Sequence, residues 1–196
     1  MHGDRGEPMR RSIYGCRCQV VEQGTGETVV EFLMDRVQSP IGEIIVISDG
    51  ENLRALDFDE YEQRMHELLQ RHYGEVSFKR AKNPGGASKL VKRYLDGEFD
   101  AIKEITVKTN GTPFQKKVWT QLRRIPTGKT ISYGDLARRI GKPKAPRAVG
   151  LANGSNPIAI VVPCHRVIGA NGSLTGYGGG IERKQWLLAH EGVRTT

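Results

Sequence analysis

The sequence predicts a mixed α/β (α+β) protein in two parts. A small N-terminal α/β subdomain with an antiparallel sheet, residues 28–110, precedes a helical, winged-helix-like subdomain, residues 111–196. Three observations predict this. Short β-branched runs bounded by Gly and Pro turns crowd the first half, capping signals followed by helical periodicity fill the second, and 196 residues suffice for one body of two subdomains rather than two full domains.

The elements follow in order. Residues 1–27 read as a disordered leader or an added extension, and Met34 offers an alternative natural start. Strand character begins at Val29. Ile44–Ile47 follows a Pro40-Ile41-Gly42 turn and ends at Asp49-Gly50, so Leu53–Phe58 is expected to pair back as a hairpin. Tyr61–Tyr73 carries Met65, Leu68, Leu69 and His72 at helical spacing. A second short helix through Tyr94 and Leu95 stops at Gly97, and Ile105 with Val107 suggests one more strand. No catalytic constellation is visible in this half.

Beyond the Asn110-Gly111 turn, Thr112-Pro113-Phe114-Gln115 combines an N-cap, a proline at the first helical position and a capping-box glutamine. That helix presents Phe114, Val118 and Leu122 on one face. Ser132 caps the next, with Asp135 in its first turn and Tyr133, Leu136, Ala137 and Ile140 as its apolar stripe. After a Lys-Pro-Lys-Ala linker a third helix runs from Pro146 to Gly154. Two short helices around a basic turn resemble a helix-turn-helix. Ile158–Val162 is expected to be a buried strand, the glycines from Gly176 to Gly180 a loop or wing, and Ile181–His190 a closing helix.

Charge sharpens the reading. The chain carries a net +8, and between Pro113 and Gly150 ten basic residues face a single acid, Asp135, giving that stretch +9. Charge so concentrated is the footprint of a polyanion surface, nucleic acid above all, although solvated helix faces would look similar. On the third helix, Arg147-Ala148-Val149-Gly150-Leu151-Ala152 offers one long cation among small residues. Base-edge reading in the major groove would want Asn, Gln or several Arg side chains. Small residues permit close backbone approach without sequence preference, or simply tight helix packing.

Three cysteines do not make a disulfide framework. Cys16 and Cys18 form a C-x-C pair with no nearby His or Cys partner, a weak metal signal. No apolar run approaches bilayer length and the N-terminus lacks the apolar centre of a secretory signal, so a cytoplasmic location is expected. Cys164 is different. In Pro163-Cys164-His165-Arg166 an imidazole adjoins a thiol, and a thiol becomes a strong nucleophile only as thiolate. Neighbours on a regular strand point to opposite faces, so the two can share a pocket only if the strand ends at Pro163.

Pro163-Cys164-His165-Arg166-Val167 resembles the active-site motif of the O6-alkylguanine-DNA alkyltransferases, the methylated-DNA–protein-cysteine methyltransferases. The resemblance covers about residues 35 to 192. It includes Arg147-Ala148-Val149-Gly150, Asn156-Pro157, Gly176-Tyr177-Gly178-Gly179 and Trp186-Leu187-Leu188-Ala189-His190-Glu191-Gly192, and is most similar to the free-standing bacterial type. It implies an RNase H-like N-terminal subdomain and irreversible, single-turnover transfer of an alkyl group from O6-alkylguanine, with O4-alkylthymine as a further candidate, to Cys164.

The implied catalytic set is Cys164 as acceptor, His165 activating it through a bridging water, Glu191 orienting the imidazole, Asn156 holding the turn, and Tyr133 donating to guanine N3. Tyr177, Gly178, Val167 and Pro163 would bind the base. Arg147 would replace the flipped nucleotide, with Ala148, Gly150, Ala152, Lys144 and Arg138 also at the DNA. The resemblance implies no cofactor or metal, no membrane, a monomer in solution with cooperative DNA binding as an added candidate, and double-stranded DNA held through phosphates in a nucleoid-associated setting. Plainer roles stay open: Tyr133 fits the core stripe, Asn156-Pro157 an ordinary turn and Glu191 a helix-end carboxylate. A DNA-binding sensor with a merely buried Cys164 and a cysteine hydrolase are the competing activities. A sensor would bind without a mass change, and a hydrolase would turn over.

Overall fold

The computed structural model describes residues 19–22 and 28–194. Its main sheet is built from β2 (Thr28–Val37), β3 (Ile44–Ser48) and β4 (Leu53–Phe58), antiparallel in sequence, with β5 (Val76–Arg80) parallel to β2. The Asp49-Gly50 hairpin forms as expected, with a register shift at Ile47/Ser48. The parallel β5 was not expected. It arises because α1 (Glu62–Tyr73) crosses over between β4 and β5.

β1 (Gln19–Glu22) pairs antiparallel with the start of β2, from Gln19 opposite Glu31 to Glu22 opposite Thr28. The leader reading therefore fails for these four residues. Cys16, Cys18 and the rest of residues 1–18 and 23–27 lie outside the described residues. Met34 sits within β2, opposite Ile47 and Arg80, and Val30 and Phe32 upstream of it are core. A chain starting at Met34 would lose both.

β3 and β4 are buried on both faces, which explains their continuous apolar runs. Ile45, Ile47 and Ala55 pack on Met65, Leu69 and Tyr73 of α1. Ile44, Val46, Leu56 and Phe58 face a larger core shared with α2 (Ala87–Leu95) and the C-terminal helices. One sheet thus glues the two halves together.

In the second half α3 (Pro113–Leu122) begins with the anticipated capping box of Thr112 and Gln115, and α4 (Tyr133–Arg139) with a second between Ser132 and Asp135. α5 (Pro146–Gly154) packs on α3 and α4, completing a helix-turn-helix pair, and α6 (Ile181–His190) closes the chain. A two-stranded parallel ribbon joins β6 (Ile131–Ser132) to β7 (Val167–Ile168).

Two expected strands are corrected. Val107 makes a single bridge with Leu53 and no ladder. Ile158–Val162 is buried throughout but is not a strand, since it forms one bridge, Ile158 with Leu56. The reason is local. The Asn156 amide donates to the carbonyls of Ile158 (3.2 Å) and Val162 (2.8 Å), while its carbonyl oxygen accepts from Ile158 N (3.1 Å). Val162 N bonds back to Ile158 O, and Ile160 takes φ +65°. One side chain supplies the bonds a ladder would have made.

Candidate active site

This folded-back segment delivers Cys164 at the head of a 3₁₀ turn, Cys164–Arg166. The turn removes the strand objection, since Cys164 and His165 no longer alternate across a pleat. Cys164 is 6% exposed, and its Sγ accepts from the Asn156 amide at 3.1 Å. Burial pushes the thiol up to about 11, only partly offset by that bond and by the charge of Lys184.

His165 is fully buried. Its Nε2 lies 3.0 Å from Glu191 Oε1, at the C-terminal end of α6. Glu191 is gripped from several sides. Arg166 donates from Nε (2.9 Å) and Nη2 (2.7 Å), Tyr94 Oη at 2.6 Å, and Gly128 N at 3.3 Å. Gly128 has φ +72°, and a Cβ there would stand 2.9 Å from the Glu191 carbonyl, so glycine is required for that approach.

Burial opposes ionisation of Glu191, but bonds and charge from His165 and Arg166 outweigh it and hold the carboxyl well below the usual range. The ionised carboxylate can only accept, so Nε2 carries the proton and Nδ1 presents its lone pair. Nδ1 is buried and has no hydrogen-bond partner among the described residues. Burial also lowers the His165 pKa against the pull of Glu191, keeping the ring neutral and basic at rest.

The remaining site residues surround this centre. Tyr133 Oη donates to the carbonyls of Thr175 and Gly176 across 3.4 Å each, loose bonds that leave the hydroxyl redeployable, and burial raises its pKa. Its ring also packs against the core, as the apolar stripe of its helix predicts. The Tyr177 ring stands edge-on to His165, 6.5 Å between centroids, with a buried hydroxyl that has no hydrogen-bond partner among the described residues. Pro163 and Val167 are buried at either end of the turn.

On the outer face, Arg147, Ala148 and Lys144 are exposed and Gly150 half-buried, while exposed Arg138 pairs with Asp135. Ala152 is corrected. At 3% exposure it packs inward, and its carbonyl accepts from Trp119 Nε1 (2.8 Å), so it cannot touch DNA with its side chain. Leu151 points outward instead, 78% exposed and one turn from Arg147.

Several functional neighbours escaped the sequence reading. Lys184 is buried, with Nζ donating to Val167 O (2.6 Å) and Thr175 O (2.8 Å); burial lowers its pKa to about 8. Tyr94, Arg64 and Asp57 come from the half read as inert. Arg166, inside the Pro163–Val167 motif but given no role there, and Lys184, between two further motifs, were the ones within reach of sequence, where an unexplained cation was the available clue. A cleft of about 240 Å³ lies behind the turn, lined by Pro163, Arg166 and Thr127 among others; Cys164 does not line it.

Fold and site together define a two-part α/β protein that presents a buried thiol, backed by an imidazole–carboxylate pair, beside a basic helix-turn-helix. Comparison with known proteins is specific. Residues 32–109 match the ribonuclease-like domain, and residues 113–193 the DNA-binding domain, of 6-O-methylguanine DNA methyltransferase. The chain belongs to this family. It is 50% identical over 167 residues to the methylated-DNA–protein-cysteine methyltransferase of Shigella flexneri, covering 84% of this chain and 98% of that one. The relative of the same name in Methanosarcina acetivorans is 44% identical over 155 residues, covering 79% and 95%. Among solved structures it is similar to the Mycobacterium tuberculosis OGT in complex with DNA, with TM-score 0.68 and 41% identity over 83% of this chain and 92% of that one.

Proposed function

We propose that the protein repairs alkylated DNA by transferring the alkyl group from O6 of guanine to Cys164 Sγ, once per molecule. The observation that carries this reading is the buried arrangement in which Glu191 fixes the His165 tautomer, so that Nδ1 is the basic nitrogen in a site built around one thiol.

The chemistry follows from the site. His165 Nδ1 accepts the thiol proton, directly or through one water, and the imidazolium is then paired with Glu191. The sulfur attacks the alkyl carbon in line, the C–O6 bond breaks, and its electron pair passes to the purine. Tyr133 meets that developing charge by donating to guanine N3. The thioether has no leaving group comparable to the purine, so the cysteine is not regenerated. A sulfur this deeply placed cannot reach a stacked base, so the nucleotide must leave the duplex. Arg147 fills the space it vacates, with Ala148 and Gly150 allowing close approach, Leu151 extending the same face, and Lys144 and Arg138 serving the phosphates. Tyr177, Gly178, Pro163 and Val167 wall the base site. No step calls for a metal or cofactor. Among the described residues no helix is long and apolar enough to cross a membrane; duplex DNA as partner, a monomeric state and a cytoplasmic, nucleoid-associated setting complete the reading.

The test is incubation with duplex oligonucleotide containing O6-methylguanine, followed by intact mass. One added methyl in the wild type and none in Cys164→Ala supports the reading; binding with no mass change would replace it with a damage sensor.

A further inference from the structure

We propose that Arg64, contributed by the N-terminal subdomain, is a positioning residue for alkyl transfer: its guanidinium locks the Gly176–Gly179 loop that walls the base site. The inference rests on the function proposed above.

Arg64 projects from α1 across the junction between the halves. Its Nη1 donates to the Gly178 carbonyl, 114 residues away, and its Nη2 to Asp57 Oδ2 at the end of β4. Asp57 is itself fixed, with a side chain only 3% exposed and Oδ1 accepting from Phe58 N at 3.0 Å. The guanidinium also lies over the Tyr61 ring, 4.8 Å from its centroid. A planar fork held by a carboxylate, a ring face and a carbonyl has little freedom.

The loop is shaped to receive it. A Cβ at Gly178 would stand 2.3 Å from Arg64 Nη1, so the approach exists only because residue 178 is glycine. Gly179 is pressed on Phe58 in the same way, a Cβ there falling 2.6 Å from the ring, and its carbonyl accepts from Arg183 Nη1 at 3.2 Å. Arg183 reaches Ile41 O (2.6 Å) and Glu60, so this second grip also ends in the N-terminal half. Tyr177 lies one peptide from the Arg64 contact and stands edge-on to His165. Holding Gly178 therefore aims Tyr177 and sets the wall of the base site. Releasing it breaks no hydrogen bond to the thiol, the His165–Glu191 pair or the DNA face. The thiol does feel the charge of Asp57, Arg64's partner, and Gly178→Ala retains both members of that pair.

The experiment compares Arg64→Met, Gly178→Ala and the double variant with wild type. Gly178→Ala displaces the guanidinium without deleting it, so the question survives if Arg64→Met folds poorly. Three quantities are read: single-turnover transfer from O6-methylguanine in duplex, carbamidomethylation of Cys164 by iodoacetamide followed on its own peptide, and affinity for undamaged duplex. Each single variant is expected to slow transfer by about tenfold or more, as misplacement of a reacting partner does, with iodoacetamide reactivity and duplex affinity within about twofold of wild type. The double variant should lose no more than the worse single, because both act on one contact. Unchanged transfer in the single variants, a parallel fall in iodoacetamide reactivity, or multiplying losses would overturn the proposal. Absence of transfer by the wild type would instead sink the function on which it rests.

Discussion

Replacing His165 by alanine asks whether the imidazole takes the thiol proton or merely packs beside it. With the Cys164 thiol pushed up to about 11, roughly one molecule in 3,000 carries thiolate at pH 7.5, since each unit of pKa is a factor of ten. A base acting in the transition state recovers much of that deficit, and general bases contribute about 10²–10⁴. His165→Ala should therefore lose about three orders of magnitude at pH 7.5. The variant must wait for spontaneous ionisation, so its rate should rise about tenfold per pH unit and its deficit shrink to about tenfold by pH 9.5. Wild type should change little over that range, because burial keeps His165 neutral there. Single-turnover transfer from an O6-methylguanine oligonucleotide, quenched and read by intact mass from pH 6.5 to 9.5, gives both profiles. Parallel profiles with a constant gap would refute the base role and leave His165 an ordering residue.

Further outcomes follow from the same geometry. The stability that His165 and Glu191 contribute should be fully present above about pH 6.5 and fall as pH drops. The unfolded chain there takes a proton that buried His165 resists, and below about pH 4.5 another that Glu191, its pKa lowered by His165 and Arg166, resists; urea midpoints that peak near pH 5 would contradict this. Tyr94→Phe deletes a buried 2.6 Å bond to Glu191 and should cost about 2 kcal/mol, roughly 4–8 °C in Tm by calorimetry. Arg147→Ala should slow repair in duplex more than reaction with free O6-alkylguanine, and duplex affinity should weaken as salt rises because phosphate contacts release counterions. Equal losses, or a flat salt response in a binding titration, would undo the base-replacement and basic-surface arguments.

Much of this was legible because it is local. The capping boxes at Thr112/Gln115 and Ser132/Asp135, the Asp49-Gly50 hairpin and the closing helix Ile181–His190 depend on neighbours a few residues apart. Ile158–Val162 was misread because a buried apolar run has no period to betray its conformation, and the group that shapes it, the Asn156 amide, bonds backbone rather than a pattern. Ala152 was misassigned by one helical position, since an interior made of small residues does not reveal which face is buried. The Tyr94–Glu191 and Arg64–Gly178 contacts span 97 and 114 residues. Nothing in their local sequence distinguishes a tyrosine or arginine that reaches a site from one that packs or meets water.

The most direct measurement counts guanines restored per protein molecule when O6-methylguanine duplex is in large excess. The account predicts a plateau at one per chain, with the methyl located by peptide mapping on Cys164 and nowhere else. Restoration continuing past one equivalent, or a methyl found on another residue, would contradict it.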